Sequence, residues 1–221
     1  MGAFLNIDAG ELPDEPDELY ALAGMLNVAC GGHAGDPRSI QHVLERAAPD
    51  TRISAHLSYP DRKNFGRATV KLPPDELASS LRQQLALLDA ATHTLQHIKL
   101  HGALYHDAAR DPSLASLVVQ VAREKARRWT FIGPKAGALR EAVEREGWGY
   151  LVEGFADRRY APDGNLVPRS QPDALILDPQ LAAQQAVQLV QEQHVDTVCV
   201  HSDTPRAVEI ARAVSKVLKQ H

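Results

Sequence analysis

Cysteine is scarce in this chain. It has two, Cys30 and Cys199, far apart and in no C-x-x-C pair. That excludes a disulfide scaffold and fits a reduced, cytoplasmic setting. An excess of basic charge is also missing. With a net charge of -4 and no lysine/arginine cluster, the chain carries no electrostatic footprint for nucleic acid. Long apolar runs are absent as well. The opening MGAFLNIDAGE has no basic start and no hydrophobic stretch, which predicts neither a signal peptide nor a membrane span. Met1-Gly2 resembles a myristoylation start, but Asn6 stands where serine or threonine is needed. Common catalytic signatures are lacking too: no HExxH zinc pair, no P-loop, no G-x-G-x-x-G after a strand in the right register, and no nucleophile elbow around Ser58 or Ser202. No metal ligand set and no standard nucleotide fold are therefore assigned.

What is present is regular. The 221 residues are 44% hydrophobic and 24% charged, the balance of an ordinary globular domain long enough to bury a large core. Apolar runs at Ala3–Asp8, Met25–Cys30, Arg52–Leu57, His97–His101, Trp129–Ile132, Trp148–Phe155 and Val195–His201 predict strands. Between them, helices are predicted from Asp17 to Gly24, from Pro37 (capped by Asp36) to about Ala48, from Pro73 to about Leu95, from Asp111 to Arg127, from Pro134 to Glu146, and from Asp178 to Gln193, with a last one running to Lys219. Strand and helix alternate throughout, with no repeat and no linker, which implies parallel strands with helical crossovers in one domain over residues 1–221. Seven units predict a TIM-like (β/α)7 barrel; an open doubly wound sheet is the alternative.

In either architecture chemistry sits at the carboxyl ends of the strands. Those ends carry Asp8, His33, His56, Lys99, His101, Asp157, His201 and Asp203. Lys99 and His101 share one face of their strand, and Asn6 shares the face of Asp8. Burial is expected to lower the Lys99 pKa into a range useful for acid/base work; a buried ion pair with a carboxylate is the competing reading. Asp61, Arg67 and Arg169 are loop charges, which more often face solvent, and Arg169 counts only if its loop folds over the mouth. That loop, ADRRYAPDGNLVPRSQPDALI, is the longest irregular stretch, and its length and composition suggest a lid or binding loop. Cys30 and Cys199 are expected to be small buried fillers. His42, His93, His106, His194 and His221 are expected at the surface. This inventory points to acid/base catalysis, with Lys99 stabilising an oxyanion or phosphate.

Six blocks sharpen the reading: NIDAGE (6–11), NVACGGHAGDP (27–37), AHLSYPD with FGR (55–67), KLHGALY (99–105), FADRRY with GNLVPRSQP (155–172) and VCVHSDTP (198–205). In this order, over essentially the whole chain, they resemble the LamB/YcsF family. The resemblance implies a seven-stranded β/α barrel related to that of the polysaccharide deacetylases. It implies an A subunit that, with B and C partner subunits, cleaves 5-oxo-L-proline to L-glutamate, with ATP hydrolysed as co-substrate and magnesium beside it. The implied catalytic residues are Asp8, His33, His56, Lys99 and His101. The implied substrate contacts are Asn6, Asn27, Asp61, Arg67, Asp157, Arg169, His201 and Asp203. The chain departs from the family pattern at Leu57 and Leu100 (proline), His106 (asparagine) and Ser202 (glycine), and is short after Glu11. Two other readings fit the same residues: a metal-dependent amide or sugar deacetylase, and a non-catalytic binding subunit. Homo-oligomerisation is left open.

Overall fold

A computed structural model of the chain describes residues 2–220; the expected surface position of His221 lies outside them. Seven strands pair in parallel and in chain order: β1 (Phe4–Ala9), β2 (Met25–Ala29), β3 (Arg52–Leu57), β4 (His97–Leu100), β5 (Thr130–Gly133), β6 (Gly149–Phe155) and β7 (Thr197–His201). β7 pairs back onto β1, so the sheet closes into a barrel and the open-sheet alternative falls. Among the described residues, eight helices surround it: α1 (Asp17–Leu22), α2 (Pro37–Arg46), α3 (Pro74–Asp89), α4 (Gly102–Arg110), α5 (Pro112–Arg123), α6 (Ala138–Arg145), α7 (Pro179–Gln193) and α8 (Ala207–Leu218).

The register fixes what lies inside. Partners in a parallel ladder point to the same side of the sheet, and residues two apart on a strand share a face. Asp8 pairs with Asn27 and with His201, His56 with Lys99, and Glu153 with Thr197. The interior is therefore lined by Asn6, Asp8, Asn27, Ser54, His56, Lys99, Glu153, Cys199 and His201. Barrels of this kind are usually filled by branched aliphatic side chains; here most of the polar groups hold one another by hydrogen bonds and ion pairs, while Ser54 Oγ has no hydrogen-bond partner among the described residues. The apolar core lies outside the barrel. Ile7, Val28, Ala55, Ile98, Phe131 and Val200 on the outer strand faces pack against Ile40, Leu81, Leu85, Val118, Leu139 and Val214 of the helices, all buried.

Local punctuation departs from the sequence expectation in three places. The sequence predicts one helix from Asp111 to Arg127, but a further helix, α4, precedes it. Asp111 ends α4 and caps α5, accepting from Ser113 N at 2.8 Å and Leu114 N at 3.2 Å. Helix α6 begins at Ala138 rather than Pro134, because Gly137 takes φ 124° against the Ala109 carbonyl. Helix α3 stops at Asp89, short of Leu95.

Gly102 starts α4 immediately after His101, with φ 56°, and a Cβ there would collide with Gly66 O. Both the backbone angle and the closeness require glycine. Gly102→Ala is expected to cost about 2 kcal/mol or more, read as a lowered urea midpoint. An unchanged midpoint would show that the chain relaxes around the methyl group.

Candidate active site

A cavity of about 770 Å³ opens over the carboxyl ends of the strands, walled by His56, Lys99, His101, Arg158, Arg169 and His201 among others. Lys99 reaches its floor from β4, with 2% of its surface exposed. Its Nζ donates to Asp8 Oδ1 at 2.8 Å, Cys199 Sγ at 3.1 Å and Asn6 Oδ1 at 3.3 Å. It also lies 2.8 Å from Glu153 Oε1 and 5.6 Å from the centroid of the Phe155 ring. Burial alone would lower the Lys99 pKa, but the Asp8 carboxylate, the Cys199 sulfur and the Glu153 carboxylate outweigh it and raise the pKa well above its ordinary value. This overturns the expectation of a lysine tuned toward neutrality: Lys99 is a fixed cation. Asp8 behaves in mirror image. Burial pushes its carboxyl up, while His56 and Lys99 hold it well below the ordinary range, so it is a fixed anion and a poor proton acceptor.

Beside this pair, the turn after β1 brings in Glu11. Its Oε1 lies 2.7 Å from His33 Nε2, 3.2 Å from His101 Nδ1 and 3.5 Å from His56 Nε2. Burial opposes ionisation of Glu11, but His101 and His33 outweigh it and lower its pKa well below the ordinary carboxylate range. Burial, followed by the charge of His101, depresses the His33 pKa to about 4, so this imidazole is neutral near pH 7. The His33 and His101 rings stack, 3.6 Å apart and 2° from parallel. Glu15 fixes the turn that carries Glu11, accepting from Gly10 N at 2.6 Å, Glu11 N at 3.2 Å, Tyr20 Oη at 2.7 Å and Ser202 Oγ at 2.7 Å. The departure at Ser202 thus supplies a hydroxyl that the structure uses. Leu57 and Leu100 are register partners, so those two departures meet in the core on neighbouring strands.

On the far wall His201 turns Nδ1 toward Asp157 at 3.0 Å and Nε2 toward Asp8 Oδ2 at 4.0 Å. Asp157 also accepts from His201 N at 3.0 Å and Thr204 Oγ1 at 2.6 Å. Its burial opposes ionisation, but the His201 charge and these donors lower its pKa.

The mouth is cationic. The loop after β6 folds back through two antiparallel bridges, Arg158 with Leu175 and Tyr160 with Leu166. Arg169 Nη1 reaches Asp203 Oδ2 at 3.0 Å, and Arg67 pairs with the same carboxylate. Arg158 is 7% exposed; burial and the charges of Arg169 and Arg67 press its pKa down to about 10. Arg158 Nε and Arg169 Nη2 have no hydrogen-bond partner among the described residues. Two unpartnered buried guanidinium donors on a cavity wall fit an anion.

The structure thus gathers Asp8, His56, Lys99 and His101 at one floor, with His33 stacked behind His101, and brings Arg67, Arg169 and His201 around the same cavity, with Asp203 behind the two arginines. Asn6 and Asn27 lie one layer deeper, fully buried. Asn27 Nδ2 donates to Asn6 Oδ1 at 2.7 Å and to Asp8 Oδ1 at 2.9 Å, so they position Asp8 and Lys99. Asp157 likewise acts through His201. Asp61 is not brought in: its carboxylate accepts from Asn64 N at 3.1 Å and from Asn64 Nδ2, closing its own turn. Cys199 is no mere filler, since it contacts Lys99. Sequence reasoning passed over Glu11, Glu153 and Arg158. Glu153 carried a signal, a charge on the inward face of β6 between Leu151 and Phe155; Glu11 follows Asp8 by three residues.

Known proteins align with the chain over nearly its whole length. Two curated relatives are named as A subunits of 5-oxoprolinase. One, from Histophilus somni, is 37% identical over 98% of this chain and 94% of its own. The other, numbered 3 in Pseudomonas syringae pv. tomato, is 38% identical over 98% and 93%. A crystal structure described as a lactam utilization protein from Thermus thermophilus superposes with a TM-score of 0.88 at 32% identity, covering 100% of this chain and 97% of the other. The LamB/YcsF family model matches residues 5–221. The chain belongs to the LamB/YcsF family.

Proposed function

We propose that this chain is the A subunit of an ATP-dependent 5-oxoprolinase, opening 5-oxo-L-proline to L-glutamate together with B and C subunits. The observation that carries this reading is the near-full-length likeness to relatives named as A subunits of 5-oxoprolinase, joined to a cavity with a fixed cation at its floor and unpartnered arginine donors at its mouth. A lactam carbonyl is a poor electrophile. Phosphoryl transfer from ATP to the lactam oxygen makes its carbon attackable, and magnesium would accompany the nucleotide. Water then adds to that carbon, the C–N bond breaks as a proton passes to the ring nitrogen, and the γ-glutamyl phosphate so formed is hydrolysed by a second water, giving glutamate, ADP and phosphate.

Lys99 stabilises the negative charge of the phosphoryl group on the lactam oxygen, and Asp8 and Glu153 keep it charged and in place. The acceptor cluster of Glu11, His56 and His101 holds the attacking water. His201, its Nδ1 fixed by Asp157, presents Nε2 to the ring nitrogen as proton donor. His33 sits behind Glu11 as a neutral support. Arg158 and Arg169 take the substrate carboxylate, with Arg67 and Asp203 bracing them. No helix of the described chain is long and apolar enough to cross a membrane. The two free thiols, Cys30 and Cys199, support a cytoplasmic setting for the complex, where thiols stay reduced.

The arginine assignment makes its own prediction. Pyrrolidinone, the same ring without the carboxylate, is expected to be cleaved by the assembled enzyme with kcat/KM at least about 100-fold below that of 5-oxoproline, the scale for leaving buried charged donors unpaired. Equal kcat/KM for the two lactams would remove the carboxylate from the arginines.

A further inference from the structure

The cluster at Glu11 contains a conflict as long as its imidazoles are neutral. His56 Nδ1 faces Lys99 O at 3.3 Å, and His101 Nε2 faces Phe65 O at 2.9 Å. A carbonyl only accepts, so these contacts assign the ring proton of each histidine to that nitrogen. The opposite nitrogens, His56 Nε2 and His101 Nδ1, then point lone pairs at each other across 3.0 Å. Glu11 Oε1, a third acceptor, stands 3.2 Å from His101 Nδ1 and 3.5 Å from His56 Nε2. Three converging acceptors, with Asp8 Oδ2 a fourth at 3.3 Å from His56 Nε2, repel unless a proton or a metal cation lies between them. The surrounding charge points the same way. Asp8, Glu11, Glu153 and Asp157 are all buried. Among the described residues, Lys99 is the one lysine or arginine side chain that touches any of them.

We propose that Glu11, His56 and His101 bind one divalent transition-metal ion. Their three atoms are 3.0, 3.2 and 3.5 Å apart. Ligands placed about 2.1 Å from a common ion stand about 3.0–3.4 Å apart. Both histidines already carry the outer contact that metal-bound imidazoles use, the second ring N–H on a backbone carbonyl. His33 is excluded from the first set by its stacking: an ion in the plane of the His101 ring lies well outside the plane of the parallel His33 ring. His33 instead donates to Glu11 at 2.7 Å. The two histidines line the cavity, so the remaining coordination positions face it. Two imidazoles and one carboxylate favour zinc, manganese or iron over calcium or magnesium. When bound, the ion would polarise a water molecule on the cavity side.

The inference does not depend on the substrate. The test uses the full-length protein, stripped with a chelator and titrated with cobalt(II), followed by its visible absorption and by zinc competition. One ion per chain is expected. Glu11→Gln and His101→Gln are each expected to weaken binding by about 10- to 100-fold, the range for disturbing a metal site, while His106→Asn on the cavity wall leaves it unchanged. Circular dichroism confirms folding, and His56→Gln stands in should either variant fail to fold. No uptake by the wild type overturns the proposal, as does wild-type affinity in the folded Glu11 and His101 variants, which would mark an adventitious surface site. Either failure leaves lactam cleavage standing, with an imidazole as the base.

Discussion

Lys99→Met is expected to abolish lactam cleavage by the assembled enzyme, with kcat down by at least about 10²–10³, the cost of removing one preorganised charge-stabilising donor. The same change strips the counter-charge from Asp8 and Glu153, both buried at 2.8 Å from Nζ. Removing one partner of a buried ion pair costs about 3–5 kcal/mol, so urea unfolding should shift strongly. The two effects separate in Lys99→Met combined with Asp8→Asn, which removes one stranded charge: stability should recover in part and turnover should not. If Lys99→Met retains near-wild-type kcat, the cation is structural and the reaction is stabilised elsewhere. The raised Lys99 pKa sets the sign of the pH effect. Its stabilising charge is fully present below the unfolded value of about 10.4 and is lost only as pH rises through the higher folded value. Neutral pH therefore leaves Lys99 charged.

Asp157→Asn is expected to lower kcat by about 10² or more, with KM changed far less, because the amide no longer fixes which His201 nitrogen faces the cavity. Asp157 receives three donors, from His201 N, His201 Nδ1 and Thr204 Oγ1. An amide nitrogen in place of one oxygen sets donor against donor, for a stability loss of about 1–3 kcal/mol. The pH profile discriminates between a catalytic and a structural role. If His201 carries the proton, the kcat profile shifts in the variant; if Asp157 only braces the loop, stability falls and the profile stays in place.

The fold was largely legible in the sequence because a parallel barrel repeats one signal: an apolar strand, a polar strand end, then a capped helix. Each of the seven strands appears where its apolar run stands. What misled was punctuation. Asp111-Pro112 reads as a helix start, which it is, but the helical turns before it were hidden behind Gly102. The strand-end rule found the cavity residues on β1, β3, β4 and β7, since a polar side chain ending an apolar run stands out. It missed Glu153 in mid-strand, and Glu11 beyond the strand end, because their roles are set by partners on other strands. Lys99 shows the limit most clearly. Its burial was readable, but the direction of its pKa follows from Asp8 and Glu153, 91 and 54 positions away in the chain. Asp61 misled in the opposite sense: a loop carboxylate in a family-like block closes its own turn.

The most direct test of the central claim is glutamate release from 5-oxoproline by the purified chain, alone and mixed with B and C subunits from the same source, each with and without ATP. The account predicts release only in the complete mixture and only with ATP, with ADP formed in step with glutamate. No release from properly folded subunits, or release by the chain alone without ATP, would contradict it.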